Sequence, residues 1–501
     1  MKVILAGYNI DNEVIADLKR HAPARDDVTP ETLSASYARI SRDPRPIDEL
    51  RAVARQEVEK ARRSNQTIIF KMGHHSVAEH AVFNFDLIGI SRLALEEVEK
   101  FRLCSFTEKS QRYITLGDDF VIPEEIRRAG LEEVFLRTIR TQNALYHSLY
   151  ERLKPYVFNK HRDIARNTKN HSVLDGWAKE DARYAVSLAT QGQVGMTINA
   201  RNLELLIRRF AAQKLAELRE LDAKIYALAK EVAPSIILFT APSDFDSKTY
   251  AGLEEAAQRL PRPKQKGLSR PAGDRPAVRL VGYTPDGDDR ILAALVHTVS
   301  AFSYESCFDQ VRDMSRAEKS DFIKASLKHM EFYDFPLREF EHADLTFDLI
   351  ISAACFAQLK RHRMATLTRQ NYDPELGVTI PPSVEDIGAA GEFMAVIEQT
   401  NDTYARLKRD VGEAANYVLT NAHRRRVLLK VNVRELYHIS RLRQDPTAQW
   451  DIRSIAGMMA DEAGAVMPLS LMLLGGKDRF PQVYKKVFGR DPKYFPPDLL
   501  K

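Results

Sequence analysis

The sequence predicts a mixed α/β chain in which one fold is written twice in tandem, and three observations carry that reading. The helical stretch Ser352-Ala-Ala-Cys-Phe-Ala-Gln-Leu-Lys-Arg-His-Arg363 has an imperfect earlier copy in Ser91-Arg92 through Glu97, Lys100, Phe101 and Arg102. The opening strand, turn and helix of residues 2–18 recur as Val278–Tyr283, Thr284–Gly287 and Arg290–Leu295. A segment rich in Pro, Lys, Arg and Gly, residues 245–276, separates the two runs and reads as a linker. A repeat of this size is a duplicated domain, because solenoid repeats are far shorter. The expected boundaries are therefore 1–244 for the first copy, 245–276 for the linker and 277–501 for the second.

Composition excludes several classes. A length of 501 residues, 44% apolar and 29% charged, suits a soluble globular protein of more than one domain. A net charge of +5 against 74 basic and 69 acidic residues argues against a dedicated nucleic-acid binder, although Arg424-Arg425-Arg426 could meet phosphates. The three cysteines, Cys104, Cys307 and Cys355, share no metal-ligand spacing and fit buried thiols in a reducing compartment. No signal peptide or membrane-spanning run is legible, so a cytoplasmic location is expected.

In chain order, Gly73-His-His-Ser-Val-Ala-Glu-His80 is the first polar cluster. Ser76 with Glu79 three residues on predicts a capping box opening a helix, whose free N–H groups could hold a phosphate. His74, His75 and His80 form no complete zinc spacing, and no metal site is expected. Val82–Leu87 alternates, with Phe83, Phe85 and Leu87 on one face, as a half-buried strand does. Glu108, Ser110 and Arg112 also alternate; in an extended segment they share one face, where a hydroxyl and a guanidinium suit a phosphate. A solvated polar edge explains the same spacing. Residues 125–180 read as charged helix. From Asn199 a long helix is expected with Leu203, Leu206, Ile207 and Phe210 as its core face, ending before Pro234.

The second copy repeats the order: Glu341-His342, the strand Asp344–Leu349, and a helix capped by Ser352 with Cys355, Phe356 and Leu359 buried. Gln358, Arg361, His362 and Arg363 crowd its last turn, where the helix dipole alone would favour basic residues. A final helix is expected from Asn432 through Arg453, with Arg434 and His438 four apart on one face, as a surface pair or an anion contact.

Together these residues resemble the flavin-dependent thymidylate synthases. That family carries G-H-x-S/T-x-x-E-H, then Q-x-x-R-H-R-x-x-S-x-x-x-S-x-R-Y, an A-R segment, and N-x-R-x-L…L-R…A-Q-W-E-I-R; the two copies supply every piece between them. The resemblance implies an α+β/α/β fold, an antiparallel-containing sheet with long helices. It implies methylation of dUMP to dTMP, with FAD as cofactor and methylenetetrahydrofolate and NADPH as co-substrates. Flavin is held where subunits meet in a tetramer, so a homodimer of this chain would form a pseudo-tetramer.

Carried over residue by residue, His74 and Ser76 match the flavin-binding histidine and hydroxyl, and Glu108, Ser110, Arg112 and Arg183 match the nucleotide group. In the second copy Gln358 and Arg443 match substrate contacts, while Arg361, His362, Arg363, Asn432, Arg434 and His438 match flavin contacts. Arg112 and Arg443 are the expected catalytic pair. The departures are complementary. The first copy has Glu97 for Gln, Lys100-Phe101-Arg102 for Arg-His-Arg, and Phe210 for the later arginine. The second has Arg369, Asn371 and Asp373 where Glu, Ser and Arg belong, Asn416 for the A-R arginine, and Pro336 and Arg338 for the flavin histidine and hydroxyl. One composite site drawn from both copies is expected. The rivals are a catalytically inactive flavin- or nucleotide-binding homologue and a basic nucleic-acid-binding scaffold.

Overall fold

The computed structural model describes residues 12–21, 29–39, 43–71, 74–112, 114–261 and 276–497. The expected first strand, residues 2–8, lies outside these, as does most of the glycine- and proline-rich part of the linker. The chain forms two compact units. One comprises Met1–Ile90, Leu103–Glu108 and Gln193–Arg262; the other comprises Ser91–Arg102, Lys109–Gly192 and Pro263–Lys501. No described helix is long and apolar enough to cross a membrane.

The first unit is built on three strands, β1 (Val82–Ser91), β2 (Cys104–Glu108) and β3 (Gln191–Asn199), ordered β1-β3-β2. Strand β1 shows the expected alternation, with Phe83 and Leu87 buried and Asn84 and Asp86 exposed. Strands β2 and β3 run antiparallel, from Cys104 opposite Ile198 to Glu108 opposite Val194. The chain leaves β3 into a helix because the Asn199 side chain accepts the Asn202 N–H, one of the donors a helix start leaves unpaired. The apolar stripe Leu203, Leu206, Ile207 and Phe210 is buried as the spacing requires. The single long helix expected there is two, Ala200–Ala211 and Ala216–Val232. Part of the expected linker is also helical: Asp244–Gln258 starts at a reciprocal cap between Ser243 and Asp246.

The second unit carries β4 (Val278–Tyr283), β5 (Asp344–Ser352), β6 (Thr366–Arg369) and β7 (Arg424–Asn432), in the order β4-β5-β7-β6. Each neighbouring pair is antiparallel, with β5 and β7 in register from Asp344 opposite Asn432 to Ser352 opposite Arg424. Leu345, Phe347, Leu349 and Ile351 of β5 enter a core closed by the helices Gly287–Thr298 and Trp450–Val466. The final helix expected from Asn432 is likewise broken, into Val433–Arg443 and Trp450–Val466. In both halves a periodic apolar stripe continues across a short non-helical break, which is why spacing alone reads through it. Intervening helical turns aside, the succession strand, short helix, strand, long helix, strand, helix, helix occurs from β1 to Val232 and again from β5 to Val466, the first half adding the helix His171–Ala182 before its last strand.

Within the second unit, matching segments of the two halves cross. Ser187 bridges Thr420; Leu188 and Ala189 donate to the carbonyls of Leu419 and Tyr417 at 2.7 and 3.0 Å, and Asn421 and Ala422 donate to Val186 and Tyr184 at 3.0 and 3.2 Å. The same crossing satisfies two helix starts. Arg92 and Leu93 donate to Thr190 and Leu188, and Ala353 and Ala354 donate to His423 and Asn421, all at 2.9–3.0 Å. Ser91 and Ser352 cap these helices through their own side chains.

His423 is buried at this crossing. Its Nδ1 accepts the Thr420 N–H and its Nε2 meets Asn401 Oδ1, each at 2.9 Å. Burial drags its pKa from 6.5 down to about 4. The native state then binds fewer protons than the unfolded chain below pH 6.5, so stability is retained above that pH and falls as pH approaches 4. The unfolding free energy should decline through this window, by up to about 1.4 kcal/mol per pH unit from this group, and the denaturation midpoint with it. The decline should be shallower in His423→Asn, measured by urea titration at several pH values.

Candidate functional site

The Arg-His-Arg sequence does not occupy the last turn of its helix. That helix, Ala353–Leu359, ends at Lys360, and Arg361, His362 and Arg363 form the turn that follows. Leaving the helix there lets His362 fold inward: it is buried, and its N–H bonds the Leu359 carbonyl at 3.1 Å. Arg443 Nε donates to His362 Nε2 at 2.8 Å. Burial and the Arg443 charge hold the imidazole pKa at about 3, so the ring is neutral. With Nε2 accepting, its proton resides on Nδ1, which points at Glu435 Oε1 across 3.6 Å.

His438 stands edge-on to His362 with ring centres 5.4 Å apart. His362, Glu435 and His438 could by distance hold a cation. The Arg443 bond argues otherwise, because it leaves His362 offering Glu435 an N–H where a metal needs a lone pair. Phe335 lies against the His438 ring at 5.2 Å. Arg434 is engaged within its own half, donating to the Pro336 carbonyl at 2.8 Å and pairing with Glu341 at 3.2 Å. Asn432 uses its side-chain oxygen to cap Val433–Arg443 through the Glu435 N–H at 2.8 Å.

A cationic cluster adjoins this turn. Ser110 and Arg112 lie in a turn beyond β2, not in the extended segment expected: the Ser110 hydroxyl accepts the Arg112 N–H at 3.1 Å and bends the chain. Arg112 Nε reaches Glu180 at 2.6 Å and its Nη2 reaches the Thr447 carbonyl at 3.0 Å. Arg183 is buried at the end of the helix His171–Ala182, with Nε on the Glu180 carbonyl at 3.3 Å and no hydrogen-bond partner for Nη2. Burial, with the nearby charges of Arg361 and Arg112, lowers the Arg443 pKa to about 10. Glu180 is pushed above the usual carboxylate range by burial, and Asp181 to about 7 by burial and the Glu180 charge. Arg112 and Arg183 thus meet at Glu180, and Arg443 lies close enough to feel the Arg112 charge, an arrangement suited to a multiply charged anion.

A hydrogen-bonded chain joins this cluster to Gln358. Arg443 Nη2 donates to the Gln358 carbonyl at 3.2 Å, and Gln358 Nε2 donates to Gln449 Oε1 at 3.3 Å. Gln449 Nε2 donates to the Tyr184 oxygen at 2.8 Å; the Tyr184 and Ser352 hydroxyls donate to Asp451 Oδ2 at 2.9 and 2.6 Å. Glu180, Tyr184, Gln449 and Asp451 were not singled out by sequence. They flank Ala182-Arg183 or lie within Ala448-Gln-Trp-Asp-Ile-Arg453, and Glu180 precedes Arg183 at helical spacing, which is the signal that could have found them.

The matching positions of the opposite pairing hold a self-neutralised cluster. Arg369 pairs with Glu97, which also takes Lys100 at 2.6 Å; against the cost of burial, these cations hold the Glu97 pKa at about 2. Glu96 accepts from Tyr372 and Arg425, both at 2.7 Å, with Arg92 at 3.7 Å. Lys360 pairs with Glu99 at 2.8 Å. Asp373 is spent capping a turn through the Glu375 N–H.

In the first unit, His74 and Ser76 are exposed at the start of a 3-10 helix, His75–His80. The capping box expected at Ser76 and Glu79 does not form: the helix starts two residues earlier, with His74 as its N-cap and no side-chain cap, and Glu79 pairs with Arg201 at 2.5 Å. Glu108 closes β2, half-buried. Gly73 lies outside the described residues.

The sequence model of the family described as thymidylate synthase complementing protein matches residues 26–235 and 279–469, most of the chain. A UPF0159 protein of Chlamydia muridarum is 24% identical over 425 residues, covering 81% of this chain and 79% of the relative. A flavin-dependent thymidylate synthase of Geobacter sulfurreducens is 31% identical over 234 residues, 45% of this chain and 86% of that protein. Among solved structures, the Helicobacter pylori flavin-dependent thymidylate synthase complexed with FAD and dUMP aligns with a TM-score of 0.30 and 16% identity, over 39% of this chain and 97% of that one. The chain belongs to the thymidylate synthase complementing family, that of the flavin-dependent thymidylate synthases.

Proposed function

We propose that the chain is a tandem-duplicated flavin-dependent thymidylate synthase whose nucleotide site is a composite of its two halves. The observation that carries this is the cationic cluster: Arg112 and Arg183 of the first half meet at Glu180, Arg112 reaches the Thr447 carbonyl of the second half, and a hydrogen-bonded chain runs from Arg443 of the second half through Gln358 and Gln449 to Tyr184 of the first. The opposite pairing supports the same reading, since its cations are matched by Glu96, Glu97 and Glu99.

In this reading Arg112, Arg183 and Arg443 receive the dUMP phosphate, with Ser110 shaping the turn that aims Arg112. The residues suit a flavin: the buried His362, whose Nδ1–H faces Glu435 across 3.6 Å without a hydrogen bond, sits beside Arg361 and His438, cationic and imidazole groups fitting an electron-rich ring that gains negative charge on reduction. Arg363, Asn432 and Arg434 are the other proposed FAD contacts. When bound, FAD supplies the hydride and carbon-relay chemistry, with NADPH and methylenetetrahydrofolate as co-substrates. The protein binds, orients and balances charge. Two chains would assemble as a dimer that mimics the family's tetramer.

Arg112→Ala and Arg443→Ala should each weaken dUMP binding at least tenfold, since charge-assisted contacts are worth about 1.5–3 kcal/mol each. Equilibrium titration measures this, and unchanged affinity in both variants would remove the composite site. With FAD present, dUMP should saturate near one nucleotide per chain; two equal sites per chain would defeat the asymmetric arrangement. Assay of dUMP methylation with FAD, NADPH and methylenetetrahydrofolate separates the enzyme from an inactive homologue, which would bind dUMP without forming dTMP.

A further inference from the structure

Gln358 is buried, and its side-chain oxygen has no hydrogen-bond partner. Which end of a glutamine amide faces a ligand is decided by the network behind it. Burial raises the pKa of the Asp451 carboxyl, while the Ser352 and Tyr184 hydroxyls favour its charged form; with Asp451 ionised, each link in that network has one direction. Asp451 is buried, and its Oδ2 accepts from both Ser352 and Tyr184. The Ser352 oxygen is itself an acceptor for the Cys355 N–H, so its proton is directed to Asp451. Burial and the Asp451 charge keep the Tyr184 phenol protonated, and its single proton goes to Asp451. The Tyr184 oxygen can then only accept from Gln449, so Gln449 turns its NH2 toward Tyr184 and its oxygen toward Gln358. Gln358 must meet that oxygen with its own NH2. Its Oε1 is left as the free end.

We propose that Asp451, Tyr184 and Gln449 are positioning residues that lock Gln358 with its carbonyl oxygen toward the ligand, so that the site selects a pyrimidine carrying a ring N–H. This rests on the nucleotide reading above and adds the basis of its base selectivity. Uracil carries a proton on N3 and can donate to Gln358; cytosine has a lone pair there and would face the oxygen with another acceptor. Leaving buried acceptors opposed is costly, which is how hydrogen-bonding sites reject near-isosteric ligands.

The test is equilibrium binding of dUMP and of dCMP to the full chain, wild type and Tyr184→Phe. The wild type should prefer dUMP by at least about 100-fold. Tyr184→Phe keeps the ring but removes the hydroxyl that orients Gln449, so both amides become free to turn. The preference should narrow about tenfold or more, partly through a gain in dCMP affinity, which mere loosening of the fold would not produce. Gln449→Met, which breaks the chain at the next link, should narrow it equally and makes the same test if Tyr184→Phe loses its native circular dichroism. A dUMP preference that stays at the wild-type value in a folded variant overturns the inference while leaving the nucleotide site standing. A wild type that binds neither nucleotide overturns the site reading and this inference with it.

Discussion

The exchange of main-chain hydrogen bonds between Tyr184–Ala189 and Tyr417–Ala422 is the constraint on which the second unit depends. Four inter-segment bonds form there, and the same carbonyl-rich turns receive the first N–H groups of Arg92–Val98 and Ala353–Leu359. Each bond adds only about 1 kcal/mol net, but a buried amide left without one would cost more. The crossing therefore tolerates little displacement. Because Arg183 precedes it on one side and Gln358 closes the helix docked on the other, the geometry of the polar cluster is set by backbone, not by side-chain packing.

On that fixed frame the two pairings have diverged in charge. One keeps arginines with a single opposing glutamate; the other has acquired three glutamates facing Arg92, Lys360, Arg369 and Arg425. Buried ion pairs of this kind roughly break even against desolvation, so added stability is a poor account of them. Their effect is to occupy guanidiniums that would otherwise attract an anion. Arg369, the substitution that might have created a second anion site, is held by Glu97.

Much of this was legible in the sequence. The duplicated order of elements, the Ser352 cap, the β1 alternation and the buried stripe of Ala200–Ala211 follow from local spacing. Complementary losses in the two copies drew attention to Arg112 and Arg443, whose charges act on one another. The failures are instructive. Spacing read two helices as one because the apolar stripe survives the break at residues 212–215. It read Ser110–Arg112 as extended because period two does not distinguish a strand from a turn held by a serine hydroxyl. The polarity of the Asp451-to-Gln358 chain was beyond reach, since it arises only when residues far apart in sequence are stacked donor to acceptor.

Lys360 and Glu99 occupy matching places in the two copies, and they touch. Residues that match and touch lie on the axis relating the copies, where two identical subunits would set each residue against itself. Lysine would meet lysine, or glutamate would meet glutamate. An ion pair on such an axis is available only to partners that are no longer the same. Joining the halves in one chain made that inequality heritable, and the pair then works as a ratchet: either half, released and paired with its own kind, would bury like charges at its centre. The fused state has become the one in which this contact is satisfied.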